Sequence, residues 1–185
     1  MKSKSSSANG AALDLKSFVR DVPDFPKKGI LFKDLTPIWK DAAAFRSMAA
    51  QLSEPYRSSN VGIIAGIESR GLIIGSALAY ELGTGIVPVR KAGKLPWKTV
   101  RVSYTLEYGE ATTELHEDAF EPGARVLIVD DLLATGGTAA AAVELVRKLK
   151  GEIIGLVFLV ELEFLQGRQK LEKLGVEVFS LMRYA

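Results

Sequence analysis

Residues 125–138 read RVLIVDDLLATGGT. Four apolar residues, Val126 to Val129, run straight into Asp130 and Asp131. A short apolar run rich in β-branched residues predicts a strand buried on both faces of a sheet. Ala134-Thr135-Gly136-Gly137-Thr138 then predicts a tight loop opening a helix. The following residues support the helix, with Ala139, Ala142, Val143, Val146 and Leu149 forming one apolar stripe. A helix N-terminus offers unpaired N–H groups and the positive end of a dipole, and glycine lets an anion approach the backbone closely. Acids at the strand end can hold sugar hydroxyls or Mg2+. Taken alone, a glycine pair marks only a turn. The order strand, acid pair, anion cradle, helix points to a sugar phosphate. The stretch lacks the Gly-Lys-Ser/Thr of a Walker loop, and it is not the GxGxxG of dinucleotide sites.

Composition narrows what surrounds this stretch. With 185 residues, 48% of them hydrophobic and 25% charged, the chain has globular composition and the length for one domain with a real core. A net charge of +2 gives no argument for nucleic acid or an anionic membrane as partner. The absence of cysteine excludes disulfides and a thiolate nucleophile. No apolar run approaches the length of a membrane span. Residues 1–12 begin with a Ser/Lys-rich stretch and no apolar segment of the secretory type, and are expected to form a disordered tail. The expected location is cytoplasmic.

Outward from residues 125–138, strand and helix patterns alternate. A short helix is predicted over 11–21, followed by an irregular apolar hood over 22–37. Asp41 is placed to cap a helix that stops at Pro55. Strands are predicted at 61–65, 86–89, 153–160 and, at the sheet edge, 176–182. Helices are predicted at 72–82, with Gly83 ending it, and at 164–174. Residues 99–117 alternate around Gly109 as a hairpin. The expected fold is α/β, with a mainly parallel central sheet flanked by helices, a small N-terminal hood and a mobile β-hairpin lid over about 95–116. The whole of 13–185 is expected to form one domain. Ligands in such sheets sit beyond the carboxyl ends of the strands. That gathers three loops, around Glu68-Ser69-Arg70, Arg90 to Lys94, and Asp130 to Thr138. Arg90 to Trp97 alone reads equally as a solvated basic run. At the same sheet edge as a phosphate cradle, Arg70, Arg90, Lys91 and Lys94 call for a ligand with more than one phosphate.

VLIVDDLLATGGT resembles the phosphoribosyl-diphosphate signature of the type I phosphoribosyltransferases. PDFPKKGILFKDLTP, GIESRG, VPVRKAGKLP, SYTLEYG and LVELEFLQGRQKL resemble, in order, segments of the adenine phosphoribosyltransferases, and the likeness runs over nearly the whole chain from Asp14. The resemblance implies a homodimeric purine-salvage enzyme. It would make AMP and pyrophosphate from adenine and phosphoribosyl diphosphate, with Mg2+ held mainly by the substrate. It implies a 5′-phosphate cradle at Ala134, Thr135, Gly136, Gly137 and Thr138, and ribose or Mg2+ contacts at Asp130 and Asp131. It implies pyrophosphate contacts at Ser69, Arg70, Arg90, Lys91 and Lys94, with a cis peptide between Glu68 and Ser69. Adenine would be met by Leu31, Lys33 and Leu132. Glu107 would be the catalytic carboxylate, exchanging a proton near N7, and Tyr108 would shield the site as part of the lid. On residues alone, Glu107 is a surface acid on a hairpin.

Two departures from the family pattern stand out. Lys33 replaces a common Arg, keeping the charge but losing the planar fork. Trp97 follows Lys94-Leu95-Pro96 where Gly is usual. The single histidine, His116, is read as structural. Two other readings share the motif: a regulatory protein that binds phosphoribosyl diphosphate without chemistry, and a transferase for guanine, xanthine or orotate. The intact SYTLEYG argues against the first, and the PDFPKKGILFKD hood against the second.

Overall fold

The fold was analysed in a computed structural model that describes residues 13–106 and 109–185. The expected disorder of residues 1–12, and the roles expected of Glu107 and Tyr108, lie outside the described residues. The chain divides into two compact units, one ending at Gln51 and one covering Leu52–Ala185.

The first unit departs from the sequence expectation. In place of a helix over 11–21 there is a single 3-10 turn, Leu15–Phe18, of which only Leu15 is buried. Residues 22–37 are not irregular throughout. Strands β1 (Arg20–Pro23) and β2 (Leu31–Asp34) pair antiparallel, and a short helix α1 (Thr36–Lys40) follows. Both strands are short and largely unburied, so they carry no apolar alternation from which to read them. The connecting turn uses Asp24 and Gly29 at positive φ, with a cis bond between Phe25 and Pro26. Helix α2 (Ala42–Ser53) starts as expected, with Asp41 Oδ1 accepting from the N–H groups of Ala43 and Ala44 at 2.9 and 2.8 Å.

The second unit holds a seven-stranded sheet. Its strands in chain order are β3 (Ile63–Ile67), β4 (Gly85–Lys91), β5 (Thr99–Leu106), β6 (Gly109–His116), β7 (Arg125–Leu133), β8 (Glu152–Leu162) and β9 (Val178–Tyr184). In space they run β5-β6-β4-β3-β7-β8-β9. The five from β4 to β9 are mutually parallel, and the β5–β6 hairpin adds antiparallel at the β4 edge. The expected α/β sheet is therefore present, mainly parallel. Its central strands are buried on both faces, as their unbroken apolar runs require: Val126 to Val129 and Leu156 to Val160 are all at most 1% exposed.

Helices cover the sheet. Helix α3 (Arg70–Leu82) follows β3 and ends at Gly83, which takes φ +67°. Helix α4 (Gly137–Lys148) follows β7 and lays Ala139 to Val143, Leu145 and Val146 against Ala65, Ile67, Val126, Ile128, Leu156 and Phe158. The alanines allow close helix–sheet approach. The helix expected over 164–174 is interrupted: a 3-10 turn, Glu163–Leu165, gives way at Gln166 (φ +56°) to helix α5 (Gly167–Glu172). Strand β7 also runs beyond its apolar core, so Asp130 and Asp131 lie within the strand and not after it.

Strand β3 leads by α3 to β4 on one side, while the next parallel strand, β7, lies on its other side. Strand order therefore reverses between β3 and β7, and the crevice beyond their carboxyl ends is where such sheets bind ligands. Replacing Phe158, 1% exposed at the sheet centre, by Ala is expected to lower unfolding free energy by about 3–5 kcal/mol. Urea denaturation measures this, and a loss under about 1 kcal/mol would contradict the packing described.

Candidate active site

The crevice between β3 and β7 opens into a cleft of about 270 Å3. Glu68, Ser69 and Arg70 enter it from the end of β3, Asp130, Asp131 and Leu132 from β7, and Lys91 from β4. Thr138 and Tyr104 line it too. A smaller cavity of about 80 Å3 is lined by Asp130 and the stretch Leu132 to Ala139. It has room for roughly two or three waters, which suits one compact anion. The N-terminus of α4 opens at Gly136, which takes φ +76°, so the N–H groups of the Thr135–Thr138 turn are free of the strand ladder.

The acid pair is held tightly. Asp130 Oδ1 accepts from the Asp131 N–H at 2.8 Å. Arg70 Nε lies 2.8 Å from Asp131 Oδ2, whose side chain is 6% exposed. A Cβ on Gly71 would fall 2.7 Å from Asp130 Oδ1 and 2.8 Å from the Val129 carbonyl oxygen, so only glycine lets α3 begin this close to β7. Burial, then the neighbouring Asp131 charge, pushes the Asp130 carboxyl well above the ordinary aspartate range. Burial also raises Asp131, against the opposing pull of Arg70. The pair thus holds a proton more readily than two solvated aspartates.

The Glu68–Ser69 bond is cis, as the resemblance implied. Ser69 sits at the N-cap position of α3 without using its hydroxyl as a cap. This 13-residue helix points its positive end at the cleft. Ser69, Arg70, Lys91, the acid pair, Leu132 and Thr138 are thus brought together. Arg90 and Lys94 stand differently. Arg90 Nε donates to Glu68 Oε2 at 2.7 Å, and its Nη1 reaches the Lys94 carbonyl at 3.3 Å. Lys94 is exposed on the turn after β4. Leu31 and Lys33 belong to the N-terminal hairpin, where Leu31 is 51% exposed and Lys33 Nζ pairs with Asp21 at 2.6 Å. His116 is half-buried at the end of β6, opposite Thr99 in the hairpin.

Sequence reasoning missed two residues here, and the contact made by a third, Glu68. Glu114 is fully buried on β6. One of its oxygens accepts from the N–H groups of Lys94 and Leu95 (2.9 and 3.0 Å), the other from Thr99 Oγ1 and Arg101 Nε (3.2 and 3.0 Å). Burial pushes its carboxyl up, but hydrogen bonds from the backbone of Leu95, Gly93 and Lys94 and from Thr99 outweigh it and hold it below the usual range. Glu114 therefore anchors the basic turn to the hairpin. Tyr104 places its hydroxyl 3.1 Å from Thr138 Oγ1, tying the hairpin to the cradle. Glu68 links the β3 loop to Arg90. An acid or tyrosine in an alternating hairpin gives no local signal for such contacts.

Among the described residues, no three His, Asp or Glu side chains converge as a metal cage. Two hard carboxylates nevertheless fit Mg2+, which keeps much of its water and commonly takes one or two carboxylates plus substrate phosphates. No helix among the described residues is long and apolar enough to cross a membrane.

An acid pair and a glycine turn opening a helix stand together at the switch point of a parallel sheet, where such folds bind ligands. In keeping with this, the chain belongs to the phosphoribosyl transferase domain family, whose model matches residues 33–182. Its relatives within that family are adenine phosphoribosyltransferases. The one from Acidobacterium capsulatum is 58% identical over 171 residues, covering 92% of this chain and 93% of the relative. The crystal structure of the Thermoanaerobacter pseudethanolicus adenine phosphoribosyltransferase superposes with a TM-score of 0.88 at 49% identity, over 92% of this chain and 98% of that one. The Saccharomyces cerevisiae enzyme, solved with adenine and an iminoaltritol bisphosphate, gives 0.85 at 43% identity, over 90% of this chain and 96% of that one.

Asp130→Asn is expected to stabilise the unliganded protein at neutral pH. The folded carboxyl titrates above its unfolded value, so stability falls as pH rises through that window, and the penalty is complete above it. The amide removes the penalty and its Oδ1 still accepts from the Asp131 N–H. Calorimetry should show a melting temperature raised by about 2–4 °C for each kcal/mol regained. The gain should vanish as pH falls to about 4, the ordinary aspartate range. A gain independent of pH would contradict the burial argument.

Proposed function

We propose that this chain transfers the 5-phosphoribosyl group of phosphoribosyl diphosphate to N9 of adenine, giving AMP and pyrophosphate in purine salvage. The observation that carries this is the acid pair beside an amide cradle, with the N-terminus of α3, Arg70 and Lys91 on the same cleft. These groups match a ligand with a phosphate at each end of a ribose.

Ala134 to Thr138 hold the 5′-phosphate through backbone N–H groups and the two threonine hydroxyls. Asp130 and Asp131 accept from the ribose hydroxyls, which replace the proton the pair favours. Ser69, Arg70, Lys91 and the α3 N-terminus receive the pyrophosphate, with Arg90 and Lys94 adding charge. As the C1′–oxygen bond breaks, positive charge grows at C1′ and negative charge on the leaving group, and these fixed donors act where that charge develops. Mg2+ bound to the substrate and the acid pair would neutralise further charge on the diphosphate. Glu107 exchanges a proton with the purine near N7 as N9 forms its bond to C1′.

For the base, Leu132 on the cleft wall is assigned one apolar face of the ring. Leu31 and Lys33 keep their assignment to base recognition, and the hood assignment goes with the β1–β2 hairpin. The β5–β6 hairpin is assigned the lid, with Tyr108 shielding the site so that water does not hydrolyse the activated sugar. A homodimer is proposed as well, supported by Ile73 and Tyr80, 40% and 88% exposed and seven residues apart on α3. A single boundary at dimer mass in sedimentation velocity supports it, and monomer mass overturns it. A cytoplasmic location belongs to the same proposal.

A spectrophotometric panel of adenine, guanine, xanthine and orotate with phosphoribosyl diphosphate and Mg2+ tests the function. AMP should form with adenine alone. Binding of phosphoribosyl diphosphate without consumption of any base would make the protein a regulatory binder. In the same assay Glu107→Gln should cut turnover about a hundredfold or more with phosphoribosyl diphosphate affinity retained, and an unchanged rate would remove Glu107 from the mechanism.

A further inference from the structure

Residues 159–171, LVELEFLQGRQKL, line neither the cleft nor the cradle. They nevertheless press against the cradle from behind. Gly167, the buried first residue of α5, has no space for a side chain. A Cβ built there would lie 2.1 Å from the Ala134 carbonyl oxygen and 2.9 Å from both the Gly136 nitrogen and Leu133 Cδ1. In the other direction, a Cβ on Gly136 would lie 2.9 Å from the Gly167 carbonyl oxygen. Two backbones are therefore in direct contact, with glycine on each side. The shape of the Ala134–Gly136 turn depends on where Gly167 stands.

Arg168, the next residue, fixes that position. Its Nε and Nη2 donate to the two oxygens of Glu161 at 2.9 and 2.6 Å. Its Nη1 donates to the Val178 carbonyl at 2.7 Å, and Nη2 reaches Ser180 Oγ at 3.3 Å. The guanidinium is thus bolted to β8 and β9 at once, and the Glu161 side chain is only 4% exposed. Such two-point pairs fix orientation as well as distance. Glu161 is paired in register with Leu133, the residue just before Ala134. The cradle and its backing therefore leave the sheet from the same rung.

We propose that Gly167, held by the Glu161–Arg168 pair, is a positioning residue that sets the geometry of the Ala134–Thr138 cradle and with it the affinity for the 5′-phosphate end of the substrate. This rests on the reading of that cradle as the 5′-phosphate site. The backing touches the cradle turn and not the α3 N-terminus, so its effect is confined to one end of the ligand. A pair that merely stapled α5 to the sheet would have no such preference.

Isothermal titration of the full chain with ribose 5-phosphate and, separately, with pyrophosphate distinguishes the two. Gly167→Ala should weaken ribose 5-phosphate by about tenfold to a hundredfold, the scale of an ångström-sized misplacement, with pyrophosphate affinity unchanged. Glu161→Gln keeps the volume and loses the charge. It should shift ribose 5-phosphate in the same direction by a smaller factor, and it decides the matter if Gly167→Ala does not fold. The inference is overturned if the folded variants bind ribose 5-phosphate as wild type does, or if both ligands weaken together. Wild-type protein that takes pyrophosphate but no ribose 5-phosphate would instead overturn the reading of the cradle itself, and the inference with it.

Discussion

Two adjacent carboxylates near the end of a central strand, Asp131 buried and Asp130 partly so, are the constraint on which this site depends. Burial raises both, and the neighbouring Asp131 charge adds to the cost of ionising Asp130. The surroundings answer locally: the Asp131 N–H turns to Asp130, and Arg70 faces Asp131. Both answers require α3 to begin almost in contact with β7, which Gly71 permits. The sheet's order and the start of α3 are thus tied to the acid pair. What remains is a site less stable empty than an apolar one would be, the usual consequence of holding polar groups ready for a ligand.

The strand end is also gripped from two directions by backbone. Gly71 of α3 approaches Val129 and Asp130, and Gly167 of α5 approaches Ala134 and Gly136. Between them lie the acids and the cradle. Backbone-to-backbone contact is stiffer than contact through side chains, which have rotamers to exchange. A stiff cradle loses little freedom when an anion enters, so more of the interaction appears as affinity.

What the sequence made legible follows from how far each contact reaches. Strand β7, its acids and the glycine turn lie within fourteen consecutive residues, so an apolar run and a loop signal are enough to read them. Arg70 and Lys91 came from the rule that ligand loops gather at the strand ends, and both line the cleft. Glu114, Tyr104 and the contact Glu68 makes were missed because partners 20, 34 and 22 residues away are not named by a strand pattern, even where it predicts the hairpin. The β1–β2 hairpin was missed because four-residue strands with little burial leave no pattern. The extension of β7 through Leu133 was hidden by its acids, which read as an end to the strand and instead lie within it.

The cations of the site divide by how firmly they are held. Arg70 faces a carboxylate that is 6% exposed, and moving it away would leave that charge buried without its partner. Arg90, itself 34% exposed, pairs with Glu68, whose side chain is 13% exposed, so that acid depends less on its partner than Asp131 does. The Arg90 pair can therefore be exchanged at less cost than the Arg70 pair. Glu114 adds a third behaviour. It holds the Lys94 turn by backbone N–H groups and leaves the lysine side chain unconstrained. One cation facing a buried acid, one in a more exposed pair and one on an anchored turn thus stand near the strand ends, while Arg70 and Lys91 line the cleft itself. A chain of net charge +2 can in this way gather positive charge at one sheet edge.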